Sequence, residues 1–325
     1  MEERMEKIGK KGLVDLHFHS AYSDGSEDIP GIMKEARDQG LIALALTDYN
    51  NGVGVPFFLA ACKKAGISAL EGTEIYASFS EHSWSWNPDF CGPVPDVTIL
   101  GKKLNWQEFR KYQEMLVKYW LDYWLPETLN GLRKAGLKVP VLSKEQMWNQ
   151  LKDFGVPRVL HEVPKNPDNW DRLWEICVSF EADIRKEDIE QKPVRWANKH
   201  LYAIGKEAYV LRAPQDWTVK KAVELAEAMG GVLFAAHPGG EYANWSDEHL
   251  DFFIEQGGRG IEVYQYWHLD SQIRKFKDFA AKHGLLVSGG SDWHGKNGRP
   301  TLGCWDKLPV QTPLEAFNEL FQRLP

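Results

Sequence analysis

Two histidines one residue apart stand in GLVDLHFHSAYSDGS, the segment at residues 12–26 whose residue types are best suited to chemistry. Neutral imidazole and carboxylate are the usual ligands of zinc, iron and manganese in proteins. Because side chains alternate along a strand with period two, His17 and His19 would face the same side and could reach one ion. Asp24, in the Ser-Asp-Gly turn that follows, adds a carboxylate. The segment therefore predicts part of a divalent metal site.

Four more candidate ligands lie far away along the chain, each near the carboxyl end of a predicted strand. They are Glu74 in EGTE, His237 in AAHP, and Asp292 and His294 in GGSDWHG. An isolated His-x-His pair is weak evidence, since paired histidines in a core or on a surface are at least as common. The combination of that pair with these three motifs is strong evidence for a metal centre.

The elements that must position these residues alternate between strand and helix at both ends of the chain. Apolar runs predict strands, and amphipathic runs bounded by Asp, Pro or Gly predict helices. Strands are predicted at 12–19, 41–47, 67–77, 232–238, 260–266 and 285–295, and helices at 28–39, 55–65, 218–229, 246–256 and 270–283. This order predicts parallel strands with right-handed crossovers. In an α/β barrel the carboxyl ends of the strands share one face, so the separate ligand segments would converge there.

The middle of the chain breaks this alternation. Residues 104–216 contain helical runs rich in tryptophan, and ten of the 14 tryptophans lie between Trp84 and Trp217. We predict a barrel formed by residues 1–103 and 217–325, with 104–216 as a helical insertion that caps the barrel face. Large aromatic residues at helical spacing usually form cores, so packing is the main interpretation of these tryptophans and an aromatic pocket wall the alternative.

Composition limits the classes of partner. The net charge of −7 argues against attraction to long nucleic acid or to an anionic membrane, so a small anionic substrate would need a local positive site. No apolar run is long enough for a membrane-spanning helix, and the charged N-terminus does not resemble a signal peptide. Four widely separated cysteines form no CxxC pair, which favours a cytoplasmic location. The oligomeric state is left open.

Several motifs, taken in order, resemble one known family. DLHFHSAYSDGS, LALTDYN, EGTEIYA, AAHPGG, GIEVYQY and GGSDWHG look like the PHP (polymerase and histidinol phosphatase) superfamily, over about residues 12–101 and 218–304. Within it, the resemblance is to stand-alone phosphoesterases that act on nucleotides or other small phosphate esters. It implies an α/β fold, a distorted (β/α)7 barrel, and one to three divalent ions of manganese, iron or zinc per chain.

The resemblance also implies a distribution of ligands. The first ion would be bound by His17, His19, Glu74 and Asp292, with Glu74 bridging to a second ion that His237 also binds. The third ion would be bound by Asp24 and His294. The same resemblance gives Glu74 and Asp292 catalytic roles as metal ligands, whereas His294, if released from the third ion, could act as a general acid.

Two expected histidines are missing. Thr98 in VTILG and Tyr49 in TDY stand where the family usually has a ligand of the second and third ion. Tyrosine, with an ordinary pKa near 10, is a poor ligand of zinc or manganese at neutral pH, and threonine is weaker still. Three outcomes are open: replacement by water or by a nearby group such as His82, His161 or Glu162, function with one or two ions, or different chemistry.

The expected function is that of a metal-dependent hydrolase. The leading interpretation is a phosphoesterase that attacks phosphorus through a metal-bound hydroxide. Candidate substrate-binding residues are Arg158 and His161, in a segment where the family often binds phosphate, and Tyr49. Two alternatives remain. One is a metal-dependent hydrolase of a non-phosphate bond, and the other is a non-catalytic PHP binding module with degraded metal sites.

Overall fold

A computed structural model describes residues 13–79, 95–154, 159–203, 205–210, 213–240, 243, 245–295, 301–304 and 311–325. Seven strands form a single sheet in sequential order. They are β1 (Leu13–Phe18), β2 (Leu41–Leu46), β3 (Ser68–Tyr76), β4 (Asp96–Gly101), β5 (Val232–Ala235), β6 (Gly260–Gln265) and β7 (Leu286–Gly290). Because β1 also lies beside β7, the sheet nearly closes into a barrel.

Helices cover the outside of the sheet and make up the middle of the chain. Those of the barrel are α1 (Ile29–Asp38), α2 (Val55–Ala65), α10 (Val219–Ala228), α11 (Asp247–Glu255), α12 (Asp270–His283) and α13 (Leu314–Arg323). Those between β4 and β5 are α3 (Trp106–Tyr119), α4 (Leu125–Lys134), α5 (Lys144–Phe154), α6 (Val159–Lys165), α7 (Trp170–Phe180), α8 (Lys186–Gln191) and α9 (Pro193–His200). Among the described residues, no helix is long and apolar enough to cross a membrane.

The predicted distorted (β/α)7 barrel is confirmed, and so is the parallel pairing of the strands that alternate with helices; no direction had been predicted for β4. Strands β1 to β3 are parallel to one another, as are β5 to β7, whereas β4 pairs antiparallel with both β3 and β5. The amino end of β4 therefore lies at the carboxyl ends of its neighbours.

Local signals explain where the barrel helices begin and end. Asp28 caps α1 by accepting a hydrogen bond from the Gly31 amide at 2.8 Å, with Pro30 in the first turn. Gly66 and Gly284 end α2 and α12 in the left-handed conformation, with φ of 70° and 65°. These boundaries agree with the sequence-based predictions to within one or two residues.

The central helices share their hydrophobic core with the barrel. Trp120 and Trp124 are buried in a cluster that also contains Ile75 and Tyr76 of β3. Trp217 packs against the same cluster, and its indole Nε1 donates to the carbonyl of Tyr76 at 2.9 Å. These three tryptophans therefore pack as core residues, and the division into barrel and insertion stays a prediction.

His268, which follows β6, is buried as a neutral imidazole. The Gly239 amide donates to Nε2 at 3.0 Å, so Nδ1 carries the proton and donates to the carbonyl of Val263 at 2.9 Å. Burial lowers the pKa of His268 to about 4, although the Val263 carbonyl and Glu262 act in the opposite direction. The imidazole therefore stays uncharged in the folded protein at every pH above about 4.

This burial predicts a loss of stability in acid. The unfolded chain takes up a proton near pH 6.5 and the folded chain only near pH 4, so stability is full above 6.5 and falls as the pH drops through this window. We expect the free energy of unfolding to fall by about 2 kcal/mol more between pH 7 and pH 5 in the wild type than in His268→Gln. Urea titrations of both proteins at the two pH values measure this difference. If the free energy of unfolding fell equally with pH in the two proteins, His268 would have to take up its proton in the folded state as readily as in the unfolded chain.

Candidate metal centre

The carboxylate of Glu74, at the end of β3, lies at the middle of the candidate site. Its Oε2 is 3.2 Å from Nε2 of His17 and 3.1 Å from Nε2 of His19. Its Oε1 is 3.1 Å from Nε2 of His237, which follows β5. Glu74 is fully buried, and its two oxygens face different imidazoles. A carboxylate in this position can bridge two cations.

The structure brings together the four residues predicted for the first ion. One potential ligand atom from each of His17, His19, Glu74 and Asp292 lies within 4.8 Å of the others. Asp292 turns Oδ1 toward His19 Nε2 at 3.4 Å, while its Oδ2 accepts from the Trp267 indole at 3.4 Å. Both ring nitrogens of His19 are buried and make no hydrogen bond to any described residue. Buried ring nitrogens without a hydrogen-bond partner are suited to offer a lone pair to a bound cation.

A second cluster contains a residue that sequence reasoning missed. Glu74, His237 and Asp96 place one potential ligand atom each within 4.8 Å of one another. Asp96 begins β4 and pairs with Tyr76, two residues beyond the pair that Thr98 makes with Glu74. Because β4 is antiparallel to its neighbours, its first residue lies at the ligand face. The signal in the sequence was an aspartate two residues before Thr98, the position that lacks its histidine.

The third cluster combines both residues predicted for the third ion with a ligand of the first. Nδ1 of His19 is 3.4 Å from Asp24 Oδ1, and Nε2 of His294 is 3.2 Å from Asp24 Oδ2. The rings of His19 and His294 stack with their centroids 4.2 Å apart. Asp24 is held in place indirectly, because Ser20 and Ser23 in its loop donate from their hydroxyls to the buried Asp48 at 2.7 and 2.8 Å.

Tyr49 lies with its ring against one of the candidate ligands. It stacks on His19 with ring centroids 4.7 Å apart and is half-buried. Burial first, and then the charges of Asp96 and Glu74, raise the pKa of its hydroxyl well above 10. The hydroxyl therefore stays protonated at neutral pH, which disfavours phenolate binding to a metal.

The backbone at two of the candidate ligand positions has a positive φ. The values are 29° at His237 and 55° at Asp292, in a region that is uncommon for residues other than glycine and that Asn, Asp and His adopt most often. Gly290 allows β7 to approach β1, because a Cβ there would lie 2.4 Å from the His17 amide nitrogen. Both features turn the residues that follow β5 and β7 toward the centre of the barrel.

Glu262 in β6 is a second residue that sequence reasoning missed. It is buried, accepts from Nδ1 of His17 at 2.6 Å and accepts from the His237 amide at 2.7 Å. It therefore fixes the ring of one candidate ligand and the backbone of another. A glutamate within the otherwise largely apolar strand GIEVYQ was the available signal, because a buried carboxylate needs partners.

We expect Glu262→Gln to weaken metal binding by 10- to 100-fold, roughly the effect of losing an outer carboxylate–histidine hydrogen bond. The amide keeps the shape but removes the charge that orients His17. Titration of the purified protein against a chromophoric chelator measures this affinity. The matched control is Glu255→Gln, an exposed residue at the end of α11, which should bind metal like the wild type. Unchanged affinity in Glu262→Gln would contradict an orienting role.

The charges of the centre are mutually dependent. Burial by itself lowers the pKa of His19, but Asp24, Asp292 and Glu74 together raise it to about 10. Burial also lowers the pKa of His237, and Glu74 raises it to about 9. Burial raises the pKa of Asp24, but His294 and His19 hold it well below its usual range. A cation that binds here must displace protons from these imidazoles, so metal affinity should fall with falling pH.

The structure describes only some of the residues that were predicted to bind substrate or to replace a missing ligand. Arg158 and His82 lie outside the described residues. His161 is an exposed residue of α6, and its charge adds to those of His294 and His19 in lowering the pKa of Asp24, which burial by itself would raise. Glu162 is its exposed neighbour and belongs to none of the three clusters.

A nearly closed seven-stranded barrel with histidine and carboxylate clusters at one end is the arrangement of a metal-dependent hydrolase, and this is the class of the protein. Residues 15–123 match the model of the PHP domain. The prediction of a PHP-type metal-dependent phosphoesterase is thereby confirmed, together with divalent metal binding.

Relatives match along almost the whole chain. A 3',5'-nucleoside bisphosphate phosphatase of Chromobacterium violaceum is 27% identical over 96% of this chain and 97% of its own length. The 5'-3' exoribonuclease Rnm of Escherichia coli is 23% identical over 96% of this chain and 94% of its own. A solved structure of a candidate metal-dependent phosphoesterase from Bifidobacterium adolescentis superposes with a TM-score of 0.63, at 24% identity over 97% of this chain and 96% of its own. This last likeness supports the fold.

Proposed function

We propose that this phosphoesterase hydrolyses a phosphate ester of a nucleotide or of a similar small anionic molecule. The observation that carries the proposal is the position of Glu74, whose two oxygens join a His17–His19–Asp292 cluster to a His237–Asp96 cluster. Paired cations bridged by a carboxylate suit phosphate esters, because both the attacking and the leaving oxygen can be stabilised. Two relatives are named for nucleotide phosphate chemistry, which supports this choice of substrate.

In this proposal, two or three divalent ions of manganese, iron or zinc bind per chain. Histidine and carboxylate ligands accept all three metals. Asp96 takes the role of the histidine that Thr98 replaces, and His19, Asp24 and His294 form the third cluster. The missing ligand of the second ion is thus supplied by a carboxylate two residues away in the same strand.

Bound divalent ions would supply Lewis-acid activation of water and of the phosphoryl group. The protein residues do the remaining work. Glu74 and Asp292 hold negative charge where the cations bind, and Glu262 keeps His17 in one orientation. His294 is the most exposed member of its cluster, with 38% of its side chain accessible compared with 14% for Asp24. Burial by itself lowers the pKa of its imidazole, but the charge of Asp24 raises it, which favours the protonated form that could donate a proton to the leaving oxygen when no metal is bound to His294.

The test is reconstitution followed by a substrate comparison. Chelator-treated protein would be loaded separately with manganese, iron and zinc, and the metal content per chain measured by elemental analysis. Phosphate release from nucleoside monophosphates, nucleoside 3',5'-bisphosphates and short 5'-phosphorylated oligonucleotides would then be followed. We expect metal-dependent release from at least one of these classes. Metal binding without release would favour hydrolysis of a non-phosphate bond, and the absence of metal binding would favour a non-catalytic binding module.

A further inference from the structure

The two carboxylate oxygens of Asp292 have different surroundings. Oδ1 is buried, lies 3.7 and 3.4 Å from Nε2 of His17 and of His19, and makes no hydrogen bond to any described residue. Oδ2 accepts a hydrogen bond from the indole Nε1 of Trp267 at 3.4 Å. One oxygen therefore faces the candidate metal centre, and the other faces a neutral N–H group.

The main chain of Asp292 is held independently of its side chain. Its amide donates to the carbonyl of His17 at 2.8 Å, and its φ is 55°. The freedom that remains includes rotation about χ2, which for aspartate has broad, two-fold minima. Such a rotation exchanges the two oxygens of a carboxylate, so one donor at Oδ2 is enough to distinguish them. Within the described parts of the chain, no other group donates to Oδ2.

Trp267 is itself anchored in the turn that follows β6. Its amide donates to Oε1 of the buried Gln265 at 2.7 Å. Its ring packs edge-on against Tyr266, with the ring centroids 5.1 Å apart, and against the core cluster that contains Val263. An indole is a donor only and carries no charge, so it can hold a carboxylate oxygen without competing with a cation for the charge of that carboxylate.

We infer that Trp267 is a positioning residue of the metal centre, whose indole N–H holds Oδ2 of Asp292 and thereby keeps Oδ1 turned toward the centre. The inference rests on the proposed function and adds to the site a residue that belongs to none of the three clusters. Outer hydrogen bonds of this kind orient metal ligands, and their loss typically weakens metal affinity by about 10- to 100-fold. The indole hydrogen bond thus does for Asp292 what Glu262 does for His17.

Two substitutions separate the hydrogen bond from the packing of the ring. Trp267→Phe keeps an aromatic ring and removes the donor, whereas Trp267→Gln removes the ring and keeps an N–H donor at the same number of bonds from Cβ. Affinity for manganese and for zinc would be measured by competition with a chromophoric chelator. We expect Trp267→Phe to bind each metal about tenfold more weakly than the wild type and Trp267→Gln to bind more tightly than Trp267→Phe. Weaker binding in Trp267→Gln than in Trp267→Phe would assign the effect to packing and overturn the inference.

The matched control for these variants loses the same kind of hydrogen bond elsewhere. The indole of Trp174 donates to the carbonyl of Ile184 at 3.0 Å in the helical region, so Trp174→Phe should bind both metals like the wild type. If the wild type bound metal and Trp267→Phe bound it equally well, the inference would fail and the proposed function would survive. If the wild type bound neither metal, the proposed function would fail.

The metal-free protein provides a second measurement, which needs no activity. In protein carrying isotope-labelled tryptophan, the chain has 14 indole N–H groups, and the NMR signal that Trp267→Phe removes belongs to Trp267. We expect Asp292→Ala to shift this signal upfield, because the indole loses its acceptor. Asp278→Ala, at an exposed position of α12, should leave the signal in place. An unshifted signal in Asp292→Ala would show that Trp267 does not hold Asp292 and would overturn the inference.

Discussion

Glu74→Gln should lose both metal and activity, with phosphate release reduced by about 10³-fold or more, because it removes the charge at the centre of the site. The two oxygens of Glu74 face His17 and His19 on one side and His237 on the other, each at 3.1 to 3.2 Å. Glutamine can offer only one neutral oxygen and places an NH₂ group toward imidazoles. Elemental analysis after reconstitution should show less bound metal than in the wild type.

The control for this variant lies on the same strand. Glu71 is buried in β3 and accepts from the Trp106 indole at 2.8 Å and from the Leu104 amide at 3.1 Å, at the start of the helical region. Glu71→Gln should bind the full number of ions even where it lowers the unfolding midpoint. If Glu74→Gln kept its metal and its activity while remaining folded, the centre would have been assigned to the wrong residues.

Asp96→Asn tests whether a carboxylate has replaced the missing histidine. We expect one metal equivalent fewer per chain and phosphate release lowered by about 10²-fold, as for the loss of one group that stabilises charge in a transition state. The first cluster does not contain Asp96, so the ion bound by His17, His19 and Asp292 should remain. Metal content by elemental analysis and phosphate release measure the two effects separately.

Thr98 provides the comparison for Asp96. It is buried directly opposite Glu74, and its hydroxyl makes no hydrogen bond to any described residue. Thr98→Val should therefore leave the metal content unchanged. In the Asp96→Asn background, Thr98→His should restore binding of the second ion, because it supplies the histidine that the family usually has at this position. A normal metal content in Asp96→Asn alone would mean that Asp96 is not a ligand.

Most of the fold could be predicted from local patterns. Asp28 and Pro30 begin α1, Gly66 and Gly284 end two helices, and apolar runs predicted all three first strands within two residues. These features depend on backbone preferences that a short segment expresses by itself. The direction of β4 could not be predicted in this way, because strand direction is set by the connection and by the neighbouring strands, and no local pattern encodes it.

The same distinction applies to the candidate site. The sequence by itself determined the candidate ligand types and most of the candidate positions that lie together, because His-x-His on a strand and polar residues at strand ends imply one shared face. Only the tertiary structure decided which other side chains contact these candidate ligands. Asp96 reaches the centre because β4 runs antiparallel, and Glu262 orients His17 across 245 residues of sequence at 2.6 Å. Likewise, the ring of Tyr49 stacks on His19, a contact between segments 30 residues apart that only the folded chain shows. Contacts between distant segments arise from how the barrel closes, and they leave no local pattern in the sequence.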